Sequence, residues 1–261
     1  MSKKKELTIR NNTVVKANEL IQKSRFSLTV QQQKIVLYLI SQIQPQDEDF
    51  RLYEFSIPEF CRATGIDATS GENYKDLKKA IQEIRDKSIW ITLEDGSMVT
   101  LSWIEKAKIK PQSGKIEIRL DQDMKPFLLQ LKKNFTQYEL IWTLHFKSKY
   151  TIRLYELIKS VHYNELETYE REFDVKQLCQ AMGAEGYKQF CAFHSRALKP
   201  AVKEINEYSD KSLIYDLIKQ GRTVEKIKFT IKTKAPLDRM KIRSEIEQEL
   251  GLEQMTFFEK D

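Results

Sequence analysis

Two stretches of the chain, Glu54 to Gly65 (EFSIPEFCRATG) and Glu172 to Gly183 (EFDVKQLCQAMG), align without gaps and share five identical residues. A second pair follows in the same order, Leu77 to Arg85 (LKKAIQEIR) and Leu198 to Asn206 (LKPAVKEIN), again with five identities. The two offsets, 118 and 121 residues, are nearly equal. Because self-similarity at a constant spacing indicates a duplicated structural unit, the sequence predicts two copies of one domain of about 110 residues.

Each copy shows the same predicted order of elements. In the first, Thr29 and Gln32 form a capping-box pattern ahead of a helix whose apolar stripe runs from Ile35 to Ile43. The turn signal Asp95-Gly96 predicts a hairpin later in this copy. The other predicted elements are a short strand at 55–57, helices at 58–64 and 74–87, hairpin strands at 89–93 and 98–104, and a strand at 115–120. This order predicts an α+β fold of tandem duplicated winged-helix domains.

The second copy repeats the order, and Pro200 is expected to bend its long helix or to mark a helix start. Its predicted elements are helices at 150–161, 176–182 and 187–206 and strands at 173–175, 212–219 and 224–232. A basic segment at 123–146 is predicted to be a linker helix between the copies. The predicted division is an N-terminal winged-helix domain at 1–122, a linker helix and C-terminal winged-helix domain at 123–234, and an acidic, flexible tail at 235–261.

The sequence lacks the motifs of several enzyme classes. No two glycines are spaced as G-x-G, and the only Gly-Lys pair, Gly114-Lys115, lacks the rest of a P-loop. The three histidines form no close pair, and the metal-like pattern Cys191-x-x-His194 lacks a fourth ligand. We therefore expect no catalytic residues, no metal and no cofactor.

Cysteine content and hydropathy indicate a cytoplasmic location. The odd number of cysteines, three, argues against a disulfide framework, and we expect Cys61 and Cys179 to be buried and unbridged. The longest apolar run, residues 35–40, is far short of a membrane span, and no membrane partner is expected.

The charge distribution favours a polyanionic partner. The formal net charge is +6, but residues 235–261 carry four basic and seven acidic side chains, so the rest of the chain carries +9. An excess of positive charge favours nucleic acid, although basic side chains on a helix are often only solvated.

In a winged helix, the second helix of the helix-turn-helix enters the major groove. The segments at 74–87 and 187–206 are therefore the predicted DNA-reading helices of the two copies. Residues 187–203 contain four basic and no acidic side chains. The apolar stripe there leaves Arg196, Lys199 and Lys203 on the opposite face, where they can reach bases and phosphates. The alternative for Arg196 is an ion pair with Glu204 or Glu207.

Further DNA contacts are predicted around this helix and in the first copy. The aromatic residues Tyr187, Phe190 and Phe193 favour a core role over base stacking, because they lie beside the apolar stripe. The second hairpin is strongly basic from 219 to 234 and forms the predicted wing. The predicted DNA-binding residues, besides the three named above, are Lys188, His194 and Ser195 in the helical segment, Arg222, Lys226 and Lys228 in the wing, and Lys75, Lys78 and Lys79 in the first copy.

These patterns resemble the iteron-binding plasmid replication initiators of the RepA, RepB and RepE type. The resemblance lies in the stretches 18–21 (NELI), 27–43 (SLTVQQQKIVLYLISQI), 147–159 (KSKYTIRLYELIK) and 198–206 (LKPAVKEIN), followed by a turn with Lys219 and Arg222. It covers roughly residues 10–234 and consists of many moderately specific positions.

The resemblance implies two winged-helix domains that bind repeated double-stranded DNA sequences, iterons, at a plasmid origin. It further implies origin opening by the monomer, recruitment of host initiator and helicase proteins, and autorepression by a homodimer. The exposed strands within 89–120 favour dimerisation through the N-terminal domain. A tandem winged-helix transcriptional regulator would share these features and remains the alternative.

Overall fold

The computed structural model describes residues 13–44, 46–64, 73–93, 95–110, 113–162 and 168–250. The described chain begins with β1 (Thr13–Ala17), α1 (Asn18–Lys23) and β2 (Ser24–Arg25). The first copy follows with α2 (Val30–Ile40), β3 (Tyr53–Ser56), α3 (Ile57–Thr64), α4 (Asn73–Asp86), β4 (Ile89–Thr92), β5 (Met98–Leu101), β6 (Ile104–Lys110) and β7 (Lys115–Leu120).

The chain then passes through a connecting segment into the second copy. The segment contains a 3-10 turn (Gln122–Met124), α5 (Lys125–Leu128), β8 (Phe135–Glu139) and α6 (Ile141–Leu144). The second copy has α7 (Lys149–Val161), β9 (Tyr169–Asp174), α8 (Val175–Ala181), α9 (Phe190–Phe193), a π-helical turn (His194–Leu198), α10 (Lys199–Tyr208), β10 (Lys211–Gln220) and β11 (Thr223–Thr233), and α11 (Pro236–Glu249) follows it.

Helix α2 begins with the predicted capping box. The Thr29 hydroxyl accepts from the Gln32 backbone N–H at 3.2 Å, and the Gln32 side chain accepts from the Thr29 N–H at 3.0 Å. Both interactions satisfy N–H groups that a helix leaves without partners at its start. Ile35, Leu39 and Ile40 are at most 1% exposed, so the predicted apolar stripe packs in the core.

The two copies have equivalent sheets, which confirms the predicted duplicated winged-helix fold. The strand order is β3-β7-β6 in the first copy and β9-β11-β10 in the second, and in each the short strand precedes a helix. An equivalent ion pair joins this strand to the wing, because Lys115 lies 2.6 Å from Glu54 and Lys226 lies 3.5 Å from Glu172. The aligned stretches that began at Glu54 and Glu172 thus occupy the same place in both copies; Gly65 lies outside the described residues.

The hairpin predicted at 89–104 forms, but it is not the wing of the first copy. The hairpin at 89–104 contains β4 and β5, which form a separate three-stranded sheet with β2. The strand equivalent to β10 is β6, which the sequence did not indicate as a separate strand, and it pairs with β7. Buried Ile89 and Ile91 explain the difference, since they hold the β4–β5 hairpin in the core.

The predicted linker helix at 123–146 is also wrong. Gln130 and Asn134 have φ of 50° and 51°, a left-handed conformation that ends a right-handed helix. The strand β8 then pairs antiparallel with β1, and its residues alternate between exposed and buried, with Tyr138 4% exposed. This segment is therefore a structural layer between the copies.

Residues 236–249 form a packed helix, whereas the sequence favoured a flexible tail from 235. Ile246 is 1% exposed, and Arg243 forms ion pairs with Glu139 of β8 and Glu247 of its own helix. The basic Arg243 thus makes this contact with the body, while the acidic Glu247 pairs within the helix. Residues 251–261 lie outside the described residues.

Buried polar side chains join the N-terminal segment to the second copy. Lys16 of β1 and Glu156 of α7 form an ion pair of 2.6 Å, with side chains 4% and 1% exposed. The Tyr138 hydroxyl donates to the same carboxylate at 2.6 Å. Arg153 donates to the carbonyl groups of Ile21, Ser24 and Ala181 at 2.8–3.2 Å. Strand β1 and helix α1 are therefore fixed to α7.

The cysteines are unbridged among the described residues. Cys61 is buried, as expected, and Cys179 is half-buried, with burial raising its pKa to about 11. Cys191 is exposed.

Candidate nucleic-acid interface

Residues 190–208 form one helical rod with a π-helical turn at 194–198 immediately before α10. Pro200 is the second residue of α10, which follows the π-helical turn without a break, so the start expected near Pro200 is a change from π- to α-helical geometry within the rod. Proline has no N–H to donate to the Arg196 carbonyl, and a π turn accommodates the missing bond. Tyr187, which was expected within the helix, lies in the loop before it.

The rod has one buried and one basic face. Its inward residues Ala197, Leu198, Ala201, Val202 and Ile205 are at most 7% exposed. Arg196, Lys199 and Lys203 are exposed. The predicted division between packing and solvent-facing sides therefore holds along the rod, and three cations line the outer side.

The guanidinium of Arg196 is available for a ligand. Its two candidate acidic partners interact elsewhere, because Glu204 accepts from the Lys147 N–H and the Thr151 hydroxyl, and Glu207 lies 3.7 Å from Lys203. Among the described residues, Arg196 has no carboxylate partner. The pair with Lys203 is exposed, and such pairs contribute little to stability.

The other predicted residues of this segment differ in their surroundings. Lys188 and Ser195 are exposed, in the loop before α9 and on the rod. His194 is half-buried, with Nε2 2.8 Å from the Tyr215 hydroxyl of β10. Its ring also stacks on Phe190, with centroids 5.5 Å apart. His194 thus joins the helical rod to the wing, and its imidazole is already engaged.

The predicted wing lysines lie beside carboxylates. Lys226 lies 3.5 Å from Glu172 and Lys228 lies 2.7 Å from Glu170, both on the neighbouring strand β9. The Glu170 interaction raises the pKa of Lys228. Arg222 and Lys219 are exposed at the tip of the hairpin, where Gly221 has a φ of 60°. The tip therefore presents the accessible cations, and Lys219 was not among the predicted site residues.

The first copy presents a weaker equivalent. Lys75, Lys78 and Lys79 are exposed on α4, and Lys79 lies 4.0 Å from Glu83. Sequence reasoning missed Lys106 and Lys108, which are exposed on β6 of the true wing. The alternation of these lysines with less exposed residues is typical of a strand. The alternating stretch is too short and too polar, however, for the strand to be recognised from the sequence.

The aromatic cluster supports the core interpretation. Phe193 is fully buried, and Phe190 packs edge-to-face against it with ring centroids 6.4 Å apart. Tyr187 is half-buried and packs on Tyr150 at 6.0 Å. These rings position the rod, and they do not form an open stacking surface.

In the described ranges, side-chain clusters and helix hydropathy bear on two other kinds of site, a metal centre and a membrane span. Across these ranges, no group of three or more His, Cys, Asp or Glu side chains is arranged to hold a metal ion. No helix in the described part of the chain is long and apolar enough to span a membrane.

Comparison with known proteins agrees with this architecture. A family model described as "Initiator Replication protein, WH1" matches residues 13–159, and one described as "Initiator Rep protein, WH2" matches residues 174–231. The chain is 29% identical over 238 residues to a replication initiation protein of Escherichia coli, covering 86% of this chain and 71% of that protein.

A solved structure has the same fold. The crystal structure of the Pi initiator protein in complex with iteron DNA superposes with a TM-score of 0.69, at 19% identity, over 86% of this chain and 98% of that one. With the first family model alone matching more than half of the residues, and the second matching the repeated copy, this chain belongs to the family of winged-helix initiator replication proteins.

Proposed function

We propose that this protein initiates plasmid replication by binding double-stranded iteron repeats at the origin. The observation that carries the proposal is the exposed basic face of the rod at 190–208, on which Arg196 has no carboxylate partner among the described residues, set on the second winged helix of an initiator family member. The solved relative bound to iteron DNA supports the same ligand. Family membership favours this function over the alternative of a transcriptional regulator.

The proposed contacts divide between base reading and phosphate binding. Arg196 presents a planar fork that matches the O6 and N7 atoms of guanine, whereas Lys199 and Lys203 offer point charges for phosphates. Lys188, Ser195 and Arg222 extend the contact to either side of the rod. Lys75, Lys78 and Lys79 of α4 hold the adjoining DNA segment, chiefly through its backbone.

The chemistry of this binding needs no catalytic residue, cofactor or metal, and we propose that the protein is not an enzyme. Host initiator and helicase proteins are proposed partners, and the proposed location is the cytoplasm. The proposed units remain residues 1–122, 123–234 and 235–261. The repeated element order supports the first boundary, while the β1–β8 pairing shows that the units are tied together.

We also propose a homodimer, formed through the N-terminal domain, that represses the protein's own promoter. Strand β5 is an edge of the β2-β4-β5 sheet, so one side of its backbone is open to a further strand. Met98 of β5 and Trp90 of the neighbouring β4 are 55% and 45% exposed. Light scattering at rising concentration should show a dimer that Trp90→Lys abolishes, and a strictly monomeric wild type would contradict the proposal.

The decisive experiment for the main proposal is genetic. The gene is supplied in trans to a plasmid that carries only its adjacent repeats and no other origin. Maintenance of the plasmid is expected, and scrambled repeats should abolish it. Binding to the repeats without plasmid maintenance would instead support the regulator.

A further inference from the structure

A cleft lies where the two copies meet, at the points where α2 and α7 begin. Its volume is about 410 Å³. The walls are residues 27–30 leading into α2, residues 147–149 leading into α7, and Lys87 just after α4. None of these residues belongs to the DNA-binding set described above.

All ionisable side chains that line the cleft are lysines. Lys87 is already engaged, since its ammonium group donates to Gln32 at 2.8 Å and lies 4.0 Å from Glu83. Lys147 is exposed, and Lys149 lies over the Tyr150 ring at 5.1 Å. In the described ranges, neither Lys147 nor Lys149 has a carboxylate partner. The cleft therefore carries two available positive charges.

The nearest acidic groups are used to join helices. Glu204 of α10 accepts from the Lys147 backbone N–H at 3.1 Å and from the Thr151 hydroxyl at 2.5 Å. Glu83 of α4, which aligns with Glu204 in the repeat, accepts from Gln32 of α2 at 2.6 Å. Each candidate DNA-reading helix is thus fastened to the beginning of the first helix of its own copy.

Each fastening acid also has a basic neighbour on its own helix. Lys203 directly precedes Glu204 on α10, and Lys79 lies 4.0 Å from Glu83 on α4. The cleft lies between the two fastening points, so a duplex that spanned from α4 to α10 would cross this region. Since duplex DNA carries one negative charge per about 1.7 Å of its axis, such a duplex would present phosphates along the whole span.

We propose that this cleft binds a backbone phosphate of the duplex between the segments contacted by α4 and α10, with Lys147 and Lys149 as its ligands. The inference rests on the proposed function, because it takes double-stranded DNA as the ligand. It assigns the junction an active part in binding: a contact made where the second copy begins, beside the first copy, holds the two winged helices in one register on the repeat.

The test combines protein and DNA changes. Lys147→Ala and Lys149→Ala together should reduce the slope of log K against log salt by about two units and weaken repeat binding by about tenfold per lost contact at about 0.1 M salt. Duplexes in which single phosphates are replaced by uncharged methylphosphonates, scanned across the repeat, locate the contact. One or two central linkages should weaken the wild type and leave the double variant unaffected.

Lys241→Ala, on the exposed side of α11, is the matched control for charge, and it should leave both slope and affinity unchanged. If the double variant behaves like this control while the wild type binds repeats, the cleft proposal is overturned and the proposed function stands. A wild type that binds no repeat duplex would overturn the proposed function itself. Stabilisation of the wild type by millimolar inorganic phosphate, lost in a double variant that still binds DNA normally, would identify a free-anion site and overturn the assignment to DNA.

Discussion

Arg196 shows how a single side chain can be assigned a role from its neighbours. Its exposed position on the rod follows from helical periodicity in the sequence. The structure adds that Glu204 and Glu207, the acids within reach along the helix, have other partners. A guanidinium without a carboxylate partner has all its donors available for a base edge.

Arg196→Ala should therefore reduce affinity for the cognate repeat by about 1–3 kcal/mol and affinity for scrambled duplex much less. The reason is that the lost bidentate contact depends on the base. Binding titrations on both duplexes measure the difference, with thermal unfolding as a check on stability. Equal losses on the two duplexes would show that Arg196 contacts only the backbone.

The buried Lys34 leads to a prediction of how the free energy of unfolding depends on pH. Burial lowers its pKa to about 8, with nearby Glu204 opposing the shift and Lys147 adding to it. The ammonium group also donates to the Leu144 carbonyl. The unfolded chain, with a lysine pKa of 10.5, binds a proton that the native protein lacks between about pH 8 and 10.5. The free energy of unfolding should therefore rise over this interval by up to about 3 kcal/mol through this group.

In Lys34→Met this rise is absent, so the wild type should gain stability relative to the variant as pH increases from 8 to 10.5. Urea unfolding at several pH values measures the gain. Lys78→Met, at an exposed position on α4, is the control and should show a constant difference from the wild type. A constant difference for Lys34→Met as well would contradict the lowered pKa.

Among the structural elements, the wing of the second copy contains basic side chains that are paired with carboxylates and others that have no such partner in the described part of the chain. Its variants can therefore show whether DNA binding depends on the total positive charge or on the unpaired charge. The sequence shows Lys226 and Lys228 in a basic strand, but it does not show that β9, more than fifty residues upstream, places Glu172 and Glu170 beside them. Such pairing depends on the register of a non-local strand. Arg222 at the tip is reached by no carboxylate in the described ranges.

Arg222→Ala should reduce the salt slope by about one unit on repeat and scrambled duplexes alike, because a phosphate contact carries no sequence information. Lys226→Ala and Lys228→Ala should each reduce it by less, since their charges are already compensated. Salt titrations of the three variants decide between these expectations. A larger slope change for either lysine than for Arg222 would mean that DNA displaces Glu172 or Glu170.

Local patterns in the sequence predict some of these helices and strands correctly and miss others. Helical periodicity over the rod correctly separated Ala197 and Ala201 from Arg196 and Lys203. The first wing, the β6–β7 hairpin, was missed because Asp95-Gly96 is the stronger local turn signal, whereas the wing is recognised by the pairing of β7 with the distant β3. The prediction of a helix in the connecting segment was wrong for a similar reason. The helical pattern is local, whereas β8 of this segment pairs with β1, which lies near the beginning of the chain.

At the scale of the whole molecule, the two winged helices act on one duplex only if their relative position is fixed. The buried pair of Lys16 and Glu156 belongs to this connection, because it joins β1, which pairs with β8, to α7 of the second copy. Burial lowers the pKa of Lys16, and the ion pair with Glu156 opposes that shift. A buried pair contributes little compared with apolar residues, but the loss of one partner leaves a charge without compensation.

Lys16→Met should lower the free energy of unfolding by about 3 kcal/mol, the lower end of the range for a broken buried pair, because the buried Glu156 would keep the Tyr138 hydroxyl and, at 4.0 Å, the Arg153 guanidinium as partners. Lys16→Met combined with Glu156→Met should recover only part of this loss, since the buried carboxylate is gone but Arg153 then loses its contact with Glu156. Lys23→Met, which removes the partly exposed pair with Glu19, should cost no more than about 1 kcal/mol. Urea unfolding measures all three variants, and protease cleavage near β1 should increase in Lys16→Met alone. If Lys16→Met costs no more than Lys23→Met, the buried pair does not hold the halves together, and their arrangement must depend on the apolar contacts between α1, α2 and α7.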